Sequence, residues 1–186
     1  MKSFRKYYPT LFAVVFIIVA SLSLVVMQNL TREKIETQND IETVELLQSI
    51  FPEADSYVLK NDSGSDIYIV YDESVQKIGY AFYARGIGYK DWFKVLIGLE
   101  NTTTIEGINI ISHNEHQGSG YSEGEKVDFS DFSLQFTGLS IEDCVLAKDG
   151  GVIDAVTMAT LGSRAIVDTI KEESLKEVAI IIKEGY

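Results

Sequence analysis

The chain has 186 residues, enough for one ordinary domain with an appendage, and its formal net charge of −12 argues against a nucleic-acid surface. Its single cysteine, Cys144, excludes an internal disulfide and a cysteine metal cluster, and His113 and His116 alone are too few for a zinc site. The first predicted element is a membrane anchor. Residues 10–27 (TLFAVVFIIVASLSLVVM) carry no charged side chain and are just long enough to cross a hydrocarbon core as a helix. Lys2, Arg5 and Lys6 precede this stretch, and Tyr7 and Tyr8 stand where an aromatic belt would lie. The basic cluster predicts a cytoplasmic N-terminus with the rest of the chain outside, where an acidic surface is well solvated. The competing reading is a cleaved signal peptide. The long apolar core and an exit, SLVVMQNL, without a small-x-small pattern favour a retained anchor.

Residues 30–50 read as an amphipathic helix, with Ile35, Ile41, Val44, Leu47 and Ile50 at near-helical spacing and Phe51-Pro52 as its stop. Five short runs rich in Tyr, Val and Ile follow, at 56–60, 66–71, 76–84, 93–99 and 104–112, separated by polar turn clusters. Gly86 and Gly88 predict a bulge. Residues 113–127 form a glycine loop, and 128–139 a helical turn. Residues 144–147 and 152–156 are predicted as two more strands around Asp149-Gly150-Gly151. The closing helix is predicted over 160–183, burying Leu161, Ala165, Ile166, Ile170, Leu175, Val178, Ala179 and Ile182. The expected fold class is α+β: a transmembrane helix, then a mostly antiparallel sheet packed with helices. The expected division is a cytoplasmic N-terminus and anchor (1–29), a connecting helix (30–53) and a globular domain (54–186).

The chemistry concentrates where the last predicted strand meets the closing helix. The order there is Asp154-Ala155-Val156-Thr157-Met158-Ala159-Thr160, followed by Leu161, Gly162 and Ser163. A helix start leaves backbone N–H groups unpaired and is electropositive, so a phosphate placed there is stabilised. Gly162 removes side-chain bulk from that spot, Arg164 can add a cationic contact, and Thr157 can cap the helix or bond the phosphate. The ordinary alternative is Thr157 or Thr160 as an N-cap with Asp154 at a strand end.

These seven residues resemble the flavin attachment motif of the FMN-binding domain family, in which the final Thr carries FMN through a phosphoester. The resemblance extends along most of the chain. Glu115-His116-Gln117-Gly118-Ser119-Gly120 is similar to the family's Glu-Thr-Pro-Gly-Leu-Gly loop, keeping the Glu and both glycines. Phe132-Ser133-Leu134-Gln135-Phe136 is similar to its aromatic-x-x-Gln-Phe turn. Within the family the nearest likeness is to the small anchored flavin subunit of Rnf-type ferredoxin:NAD oxidoreductases, RnfG. The equivalent NqrC subunit of sodium-translocating NADH:quinone reductases is also similar. One position departs: the family usually has Gly or another small residue where this chain has Met158, and a glycine there permits a positive φ or a close cofactor approach.

The resemblance implies an extracytoplasmic electron-transfer subunit of a redox-driven, ion-translocating complex, with no independent catalysis. It implies covalent FMN on Thr160, with Asp154, Thr157, Ala159, Leu161, Gly162, Ser163, Glu115, Gly118 and Gly120 around it, and no metal site. The implied partners are the other membrane subunits of an Rnf/Nqr-like complex, a flavin transferase that matures the protein using FAD, and membrane lipid, with no nucleic acid. The competing function is a divergent module that keeps the fold without flavin and serves assembly, binding or sensing. Tyr80, Phe82, Tyr83, Tyr89, Trp92 and Phe93 can stack on a flavin, although packing is the commoner use of strand aromatics. Glu115 and His116 can titrate near the flavin, or simply shape the loop.

Overall fold

A computed structural model describes Phe16 and residues 43–62, 64–116 and 126–186. The chain divides into two compact units, Met1–Thr43 and Val44–Tyr186. The anchor expected over 10–27 lies outside the described residues apart from Phe16, as do Gly118 and Gly120. Among the described residues, no helix is long and apolar enough to cross a membrane.

The second unit is built on a five-stranded antiparallel meander in sequential order: β1 (Ser56–Asp62), β2 (Ser65–Tyr71), β3 (Lys77–Ile87), β4 (Trp92–Leu99) and β5 (Ile105–Ser112). Short turns between neighbours leave antiparallel pairing as the natural outcome. The middle strands are apolar on both faces because both are covered. On one face lies α3 (Thr160–Glu184), whose Ile166, Val167 and Ile170 meet Phe82, Phe93, Val95 and Ile97. Full burial of each such side chain contributes about 1.5–3 kcal/mol. Phe129, Phe132 and Phe136, on and beside the short helix α2 (Ser130–Leu134), close the same core in edge-to-face contact. On the other face, residues 43–48 form a helical segment, α1. Leu47 there, with Ile50 and Phe51 just after it, packs on Val70, Ala81 and Leu96.

Three local expectations change. Residues 144–147 and 152–156 do not form strands. The chain makes 3₁₀ turns at Ile141–Asp143 and Ala147–Asp149, and only a single parallel bridge joins Leu146 to Ile153. Both of those side chains are buried, so their apolar character serves the core rather than a ladder. The bulge expected at Gly86 is also missing: Gly86 stays in register opposite Phe93. A side chain at 86 would collide with the Phe93 ring and with Thr169 of α3, so glycine lets the hairpin lie against the helix. The register shifts fall instead at Val70/Tyr71, Lys94/Val95 and Gly98/Leu99. Finally, α3 is rotated relative to its predicted stripe. Leu161, Leu175, Ala179 and Ile182 are exposed, while Gly162, Ser163, Ser174, Glu177 and Ile181 are buried. Small and polar residues on the inner face hid it from a pattern based on apolar side chains. Cys144 is buried as expected of a small hydrophobe, and burial pushes its thiol up to about 12.

Candidate functional site

The segment from Asp154 to Ala159 has no regular structure and turns at Thr157-Met158 into α3. It is fixed by two side chains from elsewhere. Gln135, just past α2, uses both ends of its amide: Nε2 donates to the Asp154 carbonyl at 3.1 Å, and Oε1 accepts from the Asp154 N–H at 2.7 Å. Ser163, fully buried, works from the helix side. Its Oγ accepts from the Val156 N–H at 3.0 Å and donates to the Ala159 carbonyl at 3.0 Å. The Ser163 N–H donates to the same Ala159 carbonyl at 2.9 Å. Ser163 therefore braces the turn from inside, with an amide already committed, rather than facing a ligand. Removal of Gln135's two bonds has a simple expected effect: Gln135→Ala lowers stability by about 1–3 kcal/mol in urea unfolding.

The turn itself needs an unusual backbone. Met158 has φ of 63°, in the region where an L side chain crowds its own carbonyl and glycine is at ease. The position where the family usually carries a small residue is thus one where glycine fits best. Met158→Gly should gain roughly 0.5–1 kcal/mol after the entropy of a glycine is counted. A β-branched Met158→Val should lose stability, and denaturant midpoints of the three proteins give the order.

Thr160 is the first residue of α3. The helix has no side-chain N-cap, its preceding residue is Ala159, and its first turn holds no acidic residue. The expectation of Thr157 or Thr160 as an N-cap therefore does not apply; Thr157 is exposed. Beside this open helix start lies a cleft of about 370 Å³ lined by Tyr89, Glu115, His116, Met158, Ala159, Thr160, Leu161 and Gly162. One wall is apolar (Tyr89, Met158, Leu161) and the other polar (Glu115, His116). That size and mixture suit one small organic ligand.

Glu115 is only 3% exposed, held between two glycines. A side chain at Gly88 would overlap its Oε1, and a Cβ at Gly162 would lie 2.8 Å from its Oε2. The Lys90 N–H donates to Oε1 at 3.3 Å. Glu115 thus ties the β3–β4 turn to the first turn of α3, and its negative charge sits at the positive end of the helix dipole. Nearby, burial holds the His113 imidazole below its usual range, with Lys126 adding to the effect, and its ring stands edge-on to Phe129 at 4.9 Å.

The structure brings Glu115, Ala159, Thr160, Leu161 and Gly162 together, and leaves Asp154, Thr157 and Ser163 out of the cleft lining. Arg164 is turned away from the helix start and clasps Asp149 with two nitrogens, at 2.7 and 2.8 Å from one and 3.1 Å from the other. Of the six candidate stacking aromatics, Tyr89 lines the cleft; Tyr80, Phe82 and Phe93 are buried in the core. Tyr89 sits in a turn, Gly88-Tyr89-Lys90-Asp91, rather than in a strand, a signal that reading the six as one group did not use. The bracing by Gln135 depends on a chain crossing 19 positions away, and that by Ser163 on a turn that brings Val156 back over the helix start.

Residues 88–173 match the model of the FMN-binding domain, a span running from the turn that carries Tyr89 through the first half of α3. The RnfG protein of Vibrio vulnificus, a component of its ion-translocating oxidoreductase complex, is 30% identical over 174 residues, covering 82% of this chain and 80% of that protein. This chain belongs to the RnfG family. The Pasteurella multocida member is 29% identical over 91% of both chains. The Methanosarcina acetivorans member is 30% identical over 114 residues, a match that spans 58% of its length. The crystal structure of Shewanella oneidensis NqrC aligns with 69% of this chain and 70% of its own, at a TM-score of 0.45 and 16% identity. As a family member, the chain is an RnfG-like subunit with an FMN-binding domain, and all ten residues named for the cofactor fall inside the matched span.

Proposed function

We propose that the chain is the flavin-carrying electron relay of an ion-translocating oxidoreductase complex, with FMN joined by a phosphoester to Thr160 Oγ1. The observation that carries this reading is Thr160 at the open start of α3, on the rim of a cleft with one apolar wall. The unpaired amides of Thr160, Leu161 and Gly162 suit the phosphate, and Tyr89, Met158 and Leu161 suit an aromatic ring system. FMN supplies one- and two-electron chemistry; the protein supplies placement and electrostatics. Glu115 puts a carboxyl group beside that site.

Attachment balances as a transfer from FAD. The Thr160 hydroxyl oxygen attacks the phosphorus on the riboflavin side, the bond to the AMP phosphate oxygen breaks, AMP leaves, and the hydroxyl proton passes to solvent. A separate transferase performs this step. The complex, the membrane anchor over 10–27, the division at 29 and 53, and an extracytoplasmic position for the domain belong to the same proposal. A module that keeps the fold without flavin is the second reading, and the costly backbone at Met158 on the cleft wall is the feature that favours it. Intact mass of the full chain, coexpressed with a flavin transferase, decides between them. One FMN phosphoester on the peptide holding Thr160 supports the relay; a mass equal to the bare sequence, with no yellow chromophore, rejects it.

A further inference from the structure

Apart from Tyr89 at its tip, the β3–β4 hairpin carries an exposed feature that the flavin reading does not use. β2 pairs with β3 only as far as Phe82, and β5 pairs with β4 only as far as Lys94. The segment from Arg85 to Phe93 therefore projects beyond both neighbouring strands. On one face of this finger the cross-strand partners are Ile87 with Trp92, and one step further from the tip Arg85 with Lys94. Ile87 and Trp92 are each 62% exposed and Tyr89 at the tip is 50% exposed. The opposite face, Gly86 and Phe93, is buried on α3. The finger is thus layered along its axis, with large apolar and amphipathic side chains outermost and a pair of cations behind them.

Its charge is also out of keeping with the chain. Residues 85–94 hold Arg85, Lys90 and Lys94 against Asp91 alone, whereas the whole chain carries 16 cations and 28 acids. Asp91 is itself exposed, its Oδ1 accepting the Trp92 N–H at 2.8 Å. The Lys94 ammonium stands over the Tyr83 ring, 3.8 Å from its centroid, so this cation is held at the base of the finger. The turn is braced by the Gly88 N–H to the Asp91 carbonyl at 2.8 Å and by Glu115 from behind.

We propose that this finger docks on an anionic lipid surface, with Trp92 and Ile87 at the headgroup level and Arg85 and Lys94 against lipid phosphates. Trp favours that boundary, and cations just behind it gain from its negative potential. The same charges would be repelled by a second copy of this finger. The inference does not depend on flavin attachment, and it is tested on flavin-free protein.

Trp92 is the only tryptophan in the chain, so its fluorescence reports this finger alone. The full chain, expressed without a flavin transferase, is placed in nanodiscs of phosphatidylcholine with or without phosphatidylglycerol, and with lipids brominated at shallow depth. The expected result is a blue-shifted emission quenched by brominated lipid when phosphatidylglycerol is present. Arg85→Glu with Lys94→Glu should lower the lipid-contacting fraction roughly tenfold or more. Ile87→Ser, which keeps the charge, should also weaken quenching, and it serves if the charge reversal misfolds. Emission that stays red and unquenched in every bilayer overturns the proposal. So does quenching indifferent to lipid charge and to both variants, or a blue shift that appears only with other subunits of the complex and without lipid quenching, which would mark a protein interface.

Discussion

Thr160→Ala is expected to abolish covalent flavin altogether, leaving a protein of unmodified mass whose denatured band shows no flavin fluorescence after coexpression with the transferase. The effect is all or none because the phosphoester needs a hydroxyl oxygen at that Cβ, and alanine has none. The variant should fold, since Thr160 is half-buried and makes no side-chain cap for α3. Thr160→Ser restores the oxygen and should recover labelling, though with a more mobile side chain and a lower yield. Thr157→Ala is the matched control. Its hydroxyl is exposed and outside the cleft lining, so its loss should leave an existing flavin in place. Labelling that persists in Thr160→Ala would move the tether elsewhere and remove the basis of the relay.

The second large effect is on folding. Gly151 sits where a Cβ would overlap the backbone carbonyl of Val145. That carbonyl cannot retreat cheaply, because it accepts from the N–H groups of both Val152 and Ile153 at 3.1 Å. Gly151→Ala must therefore break or displace this double acceptor, and it disturbs the bridge between Leu146 and Ile153 just before Asp154. The expected cost is about 3 kcal/mol, near the top of the range for overpacking. For a domain of this size the melting midpoint should fall by roughly 6–12 °C. Gly138→Ala is a useful comparison: it also strains a turn, with φ of 73°, but has open space around it. It should cost about 1–2 kcal/mol from the backbone alone. Equal midpoints for the two variants would show that the overlap at Val145 is relieved without loss.

The five strands and the long helix were legible because each has a period or a turn signal within its own residues. β3 and β4 read clearly from Tyr80 to Ala84 and from Phe93 to Leu99, although both are apolar on two faces. The inner face of α3 was misread because Gly162, Ser163, Ser174 and Glu177 are buried where an apolar stripe was expected. Ser65 Oγ donates to Glu177 Oε1 at 2.7 Å, a partner 112 positions away that no local pattern reveals. The run from Cys144 to Val156 looked like paired strands because burial alone makes Leu146 and Ile153 apolar. At the site, Thr160 and Glu115 were identified by resemblance to a motif, and the cleft brings them together. The resemblance held Gly162 and Gln135 but not what they do here: Gly88 and Gly162 leave room for a buried carboxylate, and Gln135 holds the chain that leads to the threonine.

The bracing by Ser163 of the turn just before Thr160, at the start of a helix rooted in the core through Ile166 and Val167, sets how far any cargo at that hydroxyl can travel. In the proposed flavoprotein only the threonine side chain, the phosphoester and the ribityl chain would be free to rotate, so the ring would stay within the reach of that tether. This is the opposite of a swinging arm. Handing charge between distant stations then requires the whole domain to be carried from one to the other, or the stations to stand within tunnelling reach of a stationary ring.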